Sequence, residues 1–133
     1  MIAEQSDQLI TLEELIYIHI EAIDRFGGVQ GIRDSGLLES ALARPATSFS
    51  GIQLYSTPFD RSAALLASLI QNPGFIDRNK RTGVAAMIVW LNREGWELEA
   101  DDQELVEMAI SVAEHGFSLG QISEGLRQRC KEA

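Results

Sequence analysis

The basic stretch Phe75-Ile-Asp-Arg-Asn-Lys-Arg-Thr-Gly83 runs directly into the apolar run Val84-Ala-Ala-Met-Ile-Val-Trp-Leu91. The run is too apolar for a surface helix, and its length and small residues favour a helix over a buried strand. We therefore predict a central buried helix over about 80–94, followed by Gly95 as its C-terminal cap. The other helices are expected to pack around it.

Three cations, Arg78, Lys80 and Arg81, fall within four positions at the start of this helix, although the chain has only 11 Lys and Arg in 133 residues. A helix N-terminus already carries partial positive charge, so each cation there costs several tenths of a kcal/mol, up to ~1. Phosphate commonly binds at such a terminus, which predicts a phosphate site. Asp77 precedes the cations, where its carboxylate could hold Mg²⁺ against phosphate oxygens. The alternative is that Asp77 simply caps the helix and the cations pair with acidic surface residues.

The composition excludes several classes of function. A net charge of −9 and a pI near 4.6 argue against direct nucleic-acid binding and against an anionic membrane surface. The longest apolar runs have about eight residues, far fewer than the ~20 that span a bilayer. The N-terminus lacks the pattern of a signal peptide, and the only cysteine, Cys130, cannot form an internal disulfide. We expect one cytoplasmic domain over residues 1–133, with 1–9 loosely ordered.

The helical pattern predicts an all-α domain of about six helices. Their predicted starts are Thr11, Asp34, Thr57, Asn79 or Lys80, Asp101 and Ser118. Three of these starts have the form of a capping box, with an acceptor side chain followed three residues later by Glu or Gln. Apolar and acidic residues alternate over 96–99, which is compatible with a short extended segment. Residues 46–57 show no clear period, which is compatible with a loop over a ligand or protein substrate and equally with a plain surface connection.

His19 lies on the apolar face of the first predicted helix, away from its charged residues. Two interpretations are open. His19 is either a partly buried side chain with one hydrogen-bond partner, or a functional group that points into the predicted phosphate site.

The stretch Asn72-Pro-Gly-Phe-Ile-Asp-Arg-Asn-Lys-Arg-Thr82 resembles the core motif of the Fic/Doc family, written NHPFxDGNKRT in its Doc (death-on-curing) branch. Three more segments resemble Doc-branch sequences in the same order: Phe26-Gly-Gly28, Gly31-Ile-Arg-Asp-Ser-Gly-Leu-Leu-Glu-Ser-Ala-Leu-Ala-Arg-Pro45 and Leu98-Glu-Ala-Asp-Asp102. The resemblance covers roughly residues 10–126. Lys80 stands where the Doc branch has lysine and Fic enzymes have glycine.

The resemblance implies an all-helical enzyme that transfers part of a nucleotide to a protein hydroxyl. For the Doc branch this is the γ-phosphoryl group of ATP, transferred to a threonine of elongation factor Tu. It also implies a toxin that a Phd-type antitoxin neutralises. Asp77 would hold Mg²⁺, Asn79 and its neighbours would form an anion hole, and Lys80 and Arg81 would hold phosphates. Arg78 would either extend that anion site or block it.

Three positions depart from the motif. Pro73 replaces the histidine that serves as general base, Gly74 replaces the proline, and Arg78 replaces the first glycine. Loss of a general base typically slows a reaction about 100- to 10,000-fold. Three hypotheses follow: a Doc-like protein that keeps its phosphate site but has reduced or lost transfer, an active transferase with His19 or Asp77 as base, or a non-catalytic module that binds an antitoxin-like peptide.

Overall fold

A computed structural model describes residues 8–133. Its helices are α1 (Leu12–Phe26), α2 (Ser35–Ala43), α3 (Pro58–Gln71), α4 (Asn79–Arg93), α5 (Asp102–Ala113) and α6 (Leu119–Arg129). The predicted all-α fold with six helices is confirmed for this part of the chain. The prediction of a loosely ordered segment over 1–9 falls outside the described residues, apart from Gln8 and Leu9. No helix within 8–133 is both long and apolar enough to cross a membrane.

The helix starts are where local sequence signals placed them. All three predicted capping boxes form, with Thr11, Asp101 and Ser118 as N-caps. In each, the N-cap side chain accepts the third helical N–H and the third side chain accepts the N-cap N–H, so two otherwise unpaired donors are satisfied. Asp34 and Thr57 cap α2 and α3 with their side chains alone.

Helices α3 and α4 form the centre of the molecule together. Residues 62–70 of α3 are all buried, and α4 buries Met87, Trp90 and Leu91 completely. One apolar cluster joins this pair to α5 and α6, and a second joins it to α1 and α2. The predicted central helix is therefore central, but it shares that position with α3, whose run of small and branched apolar residues is buried on every side.

Two small antiparallel ladders complete the fold. Strands β1 (Ser48–Phe49) and β2 (Ile52–Gln53) form a hairpin within the segment that showed no period. Strand β3 (Trp96–Leu98) pairs with β4 (Cys130–Glu132), with Leu98 opposite Cys130. The extended piece predicted at 96–99 is confirmed, but its partner at the end of the chain was not predicted.

A polar network closes the C-terminal end of α4. The Glu94 carboxylate accepts hydrogen bonds from Arg61 Nη2 at 2.7 Å, Arg61 Nε at 2.9 Å and Trp90 Nε1 at 2.7 Å. Both members of the Arg61–Glu94 pair are about 15% exposed. At this burial, charge-assisted bonds contribute more than surface ion pairs do.

We expect Glu94→Ala to lower the free energy of unfolding by about 2–4 kcal/mol, because it removes these bonds and leaves the Trp90 N–H without its acceptor. Urea denaturation measures the change. Glu39→Ala on the exposed surface of α2 is the matched control and should change it by less than about 0.5 kcal/mol. Equal stability of the Glu94 variant and the control would contradict the network.

A second ion pair ties the start of α1 to the end of α4, where Arg93 Nη1 and Nη2 contact Glu14 Oε1 and Oε2 at 2.8 and 2.6 Å. The Arg93 side chain, followed by the Thr11 backbone N–H, lowers the pKa of Glu14 from 4.5 to about 2. Because the folded-state pKa is the lower one, this stabilisation is complete above pH 4.5 and is lost as pH falls towards 2.

The Glu14→Gln variant should therefore be less stable than the natural protein near neutral pH, and the difference should shrink in acid. Since both side chains are about 40% exposed, the difference at about pH 7 should not exceed about 1 kcal/mol. Urea midpoints of both proteins across the acidic range measure it. A difference that grows as pH falls would contradict the assignment.

Candidate functional site

Helix α4 begins with an open N-terminus. Its N-cap residue is Arg78, whose side chain makes no capping hydrogen bond. The first helical bond is from the Thr82 N–H to the Arg78 carbonyl at 3.0 Å, and the N–H groups of Asn79, Lys80 and Arg81 find no acceptor within residues 8–133. Three unpaired donors at the positive end of a helix dipole form an anion-binding arrangement.

The two cations of the first turn lie beside these donors. Lys80 is exposed, and Arg81 holds its guanidinium 3.8 Å from the ring centroid of Phe26, in a cation–π contact. In the part of the chain that the structure describes, neither cation forms an ion pair with an acidic residue. The alternative in which they pair with the acidic surface is therefore not what the structure shows.

The Arg78 side chain binds the end of α1 and does not cap α4. Its Nε and Nη2 donate to the carbonyls of Gly27 at 2.7 Å and Phe26 at 3.0 Å, at the C-terminal end of α1. The backbone of Arg78 is left-handed, with φ 60° and ψ 33°. An L-residue other than glycine pays about 1–2 kcal/mol in this conformation. The Arg78 guanidinium is thus engaged by the end of α1 and does not cap α4, while its charge still helps to lower the pKa of Asp77.

This geometry predicts different stabilities for two variants at Arg78. Arg78→Ala loses both carbonyl contacts and keeps the backbone strain, so its free energy of unfolding should fall by about 1–3 kcal/mol. Arg78→Gly loses the same contacts but relieves the strain, and should be about 1 kcal/mol more stable than the alanine variant. Chemical denaturation of both compares them. An alanine variant at least as stable as the glycine variant would contradict the left-handed backbone.

Asp77 joins the loop after α1 to the start of α4. Its Oδ2 accepts the Val29 N–H at 3.1 Å, and its Oδ1 accepts the Arg78 N–H at 2.9 Å. These two bonds, first the one from Val29, hold the pKa of Asp77 below 3.8. A Cβ at Gly28, which has φ 122°, would lie 2.7 Å from Oδ2, so only glycine permits this approach. The simple alternative of Asp77 as N-cap is wrong, because the N-cap is Arg78.

One ionised carboxylate at this position is compatible with Mg²⁺. The described residues contain no group of three or more acidic, histidine or cysteine side chains able to hold a metal by themselves. Mg²⁺ commonly binds through one or two carboxylates together with phosphate oxygens and water. Asp77 could therefore supply a single ligand, and the remaining ligands would have to come from the nucleotide and solvent.

His19 is buried against the loop of residues 72–78 that precedes α4. It is only 3% exposed, its ring stacks on Phe75 with centroids 3.9 Å apart, and its Nε2 lies 2.8 Å from the Asp77 carbonyl oxygen. A carbonyl can only accept, so Nε2 carries the proton. This environment matches the interpretation of a buried histidine with one hydrogen-bond partner.

The Asn79 side chain also has a structural role. Its Nδ2 donates to the Phe75 carbonyl at 3.0 Å and its Oδ1 accepts the Phe75 N–H at 3.1 Å. The Asn79 oxygen and one of the two Nδ2 hydrogens close the loop, which leaves the second Nδ2 hydrogen and the backbone N–H without an acceptor in residues 8–133. The sequence did not predict this contact, because a spacing of four residues between Phe75 and Asn79 is not by itself a sign of a side-chain bond to the backbone.

Residues 9–91, more than half of the chain, match the Fic/DOC family. The chain belongs to the Fic/DOC family. It is 45% identical over 76 residues to a protein named Toxin Doc from Mycolicibacterium smegmatis, an alignment that covers 57% of this chain and 58% of that protein. It is 29% identical over 119 residues to Protein kinase doc of Escherichia phage P1, covering 90% of this chain and 93% of that protein. These relatives support the Doc branch.

In this Fic/DOC protein, Gly74 stands where the motif has proline, and neighbouring residues pack closely against its backbone. The Gly74 carbonyl accepts the N–H groups of Arg33 at 2.7 Å and Asp34 at 2.9 Å. A Cβ at Gly74 would lie 2.5 Å from Leu38 Cδ2 and 2.9 Å from the Asp34 carbonyl oxygen. The Arg33 guanidinium also donates to the Pro73 carbonyl. A proline at position 74 therefore does not fit this loop as it stands.

Proposed function

We propose that this Fic/DOC protein binds the phosphates of ATP at the N-terminus of α4, and that its transfer activity is reduced or lost. The observation that carries the proposal is the row of three N–H groups, at Asn79, Lys80 and Arg81, without acceptors. A side-chain cap normally satisfies one of these donors, as Asp34 does for the Leu37 N–H of α2, but at α4 the Arg78 side chain contacts the carbonyls at the end of α1 and satisfies none.

The charges around the donors favour phosphate. Lys80 and Arg81 bring two cations to one helix turn in a chain of net charge −9, and Arg81 can bind phosphate oxygens through two parallel N–H groups. Asp77 would supply one ligand to Mg²⁺, which neutralises phosphate charge when bound. A cytoplasmic location, expected from the sequence, fits the use of ATP.

The proposed loss of transfer rests on the bases that are available. Pro73 has no side-chain base, and the Nε2 of His19 already donates its proton to a carbonyl. Asp77 accepts two backbone N–H groups, and its lowered pKa makes it a weaker base. The reaction itself would be γ-phosphoryl transfer to a protein hydroxyl, as the name Protein kinase doc of the phage relative suggests, with elongation factor Tu as the substrate in the Doc branch.

A second candidate function is a non-catalytic module that binds a Phd-type antitoxin. It is favoured by apolar side chains that stay exposed around the motif: Val29 at 56%, Ile32 at 41% and Ile76 at 54%. The Ile76 N–H bonds the Gly31 carbonyl at 3.0 Å, so Ile32 and Ile76 belong to adjoining backbones. Co-purification with the product of a small neighbouring reading frame tests this function, and Ile76→Ser should abolish it.

Calorimetric titration with ATP, ADP, AMP and adenosine, with and without Mg²⁺, tests the proposed function. Affinity should fall as phosphates are removed, and Mg²⁺ should strengthen ATP binding. If adenosine binds as tightly as ATP, or if ATP does not bind at millimolar concentration, the phosphate site at α4 is excluded. Retained antitoxin binding in that case would leave the second candidate function in place.

A further inference from the structure

A polar pocket of about 600 Å³ lies between α2, α3 and the short 3-10 turn Arg44–Ala46. Its polar lining residues are Ser40, Arg44, Thr47, Ser68 and Asn72, and no acidic residue lines it. None of the lining residues belongs to α4. The pocket is therefore separate from the phosphate site. Its lining residue Asn72 directly precedes Pro73, which replaces the motif histidine.

Arg44 brings a positive charge into this pocket without a carboxylate partner. It is half-buried, and its Nε and Nη1 donate to the Tyr55 hydroxyl and to Ser68 Oγ, each at 2.9 Å. A longer contact of 3.5 Å joins Nη1 to the Ala64 carbonyl. Within residues 8–133 no acidic side chain pairs with it, whereas Arg61 contacts Glu94 at 2.7 Å. All the partners of Arg44 are neutral, and they include the Tyr55 ring, whose centroid lies 5.5 Å from the guanidinium carbon, so its charge is not balanced by a carboxylate among the described residues.

Hydrogen-bond donors remain available around this charge. Ser68 is only 6% exposed, and its oxygen accepts from Arg44, which leaves its hydroxyl proton to be donated. Neither Arg44 Nη2 nor the Asn72 side-chain amide has a hydrogen-bond partner in the described part of the chain. A single cation surrounded by unused neutral donors suits an anion of one negative charge.

We propose that this pocket binds a carboxylate group, presented by an acidic side chain of a bound protein segment. One guanidinium matches the single charge of a carboxylate, whereas phosphate is better served by the two cations and three N–H groups of α4. A volume of about 600 Å³ also exceeds the need of a small free anion and accommodates a side chain with its backbone. The site does not depend on nucleotide binding.

Titration of ¹⁵N-labelled protein tests the pocket, with the Arg44 Nε–H and the Ser68 and Asn72 amide resonances as the readout. The probes are sodium acetate, N-acetylglutamate amide and inorganic phosphate, with sodium chloride at matched ionic strength as the background. Acetate and the capped glutamate should shift these resonances saturably, and the capped glutamate should bind more tightly. Phosphate should instead shift the amides of residues 79–81.

Two variants separate binding from folding. Arg44→Gln should abolish the saturable shifts, while Ser68→Ala, which keeps the guanidinium, should weaken acetate binding about 2- to 10-fold. The proposal is overturned if Arg44→Gln retains the shifts, if neither carboxylate causes a saturable shift, or if phosphate binds at Arg44 as tightly as acetate. Weaker binding of the capped glutamate than of acetate would exclude a protein segment as the ligand.

Discussion

Alanine at both Lys80 and Arg81 is expected to weaken ATP binding about 100-fold or more. Hydrogen bonds to charged groups contribute about 1.5–3 kcal/mol each, and 1.4 kcal/mol corresponds to a factor of ten in affinity. Lys80 makes no ion pair within residues 8–133, and Arg81 contacts the exposed ring of Phe26. Both side chains are thus available to phosphate, and calorimetry with Mg²⁺-ATP measures the loss.

The matched control for this double variant removes two exposed cations elsewhere, Arg127 and Lys131. Their side chains are 59% and 56% exposed and pair with Glu124 and Glu99. The control has the same net charge as the Lys80→Ala/Arg81→Ala variant, so long-range electrostatics change equally. ATP affinity in the control should change less than about threefold. Equal losses in both variants would mean that general charge, and not the α4 terminus, governs binding.

Histidine in place of Pro73 is expected to raise phosphoryl transfer about 100- to 10,000-fold over the natural protein. The reason is that the motif places its general base at this position, while the two other candidates, His19 and Asp77, are already engaged with backbone groups. Transfer of label from γ-labelled ATP to elongation factor Tu measures the rate. Pro73→Ala is the control, because it removes the proline without adding a base.

The Gly74 backbone restricts how far the motif can be restored. Adding Gly74→Pro to Pro73→His should lower stability and give no further gain, since a Cβ at 74 would lie 2.5 Å from Leu38 Cδ2. A fast natural protein whose transfer disappears in His19→Ala would contradict the proposed loss of activity. So would an equal gain in Pro73→Ala and Pro73→His.

The fold was predictable where its signals are local. The capping boxes at Thr11, Asp101 and Ser118 need only residues three positions apart, and all of them form. The strand at Cys130–Glu132 was missed because its ladder partner, Trp96–Leu98, is more than thirty residues away and its own sequence shows no alternation.

The candidate site was predictable in its residues but not in its contacts. The cations and the helix start follow from sequence, whereas the turn of Arg78 towards Phe26 and Gly27 depends on how α1 packs against α4. The same holds for His19, whose partner is the Asp77 carbonyl fifty-eight residues later. Sequence composition identifies side chains with functional chemistry, but tertiary packing determines which of them remain free.

We expect the backbone N–H groups of Asn79, Lys80 and Arg81 to receive the phosphates of ATP. Amide chemical shifts of ¹⁵N-labelled protein during an ATP titration test it most directly. We expect the largest saturable shifts at these three amides, with the same shifts from inorganic triphosphate and none from adenosine. If the amide resonances of residues 79–81 do not shift while ATP binds elsewhere on the protein, the phosphate site is not at the N-terminus of α4.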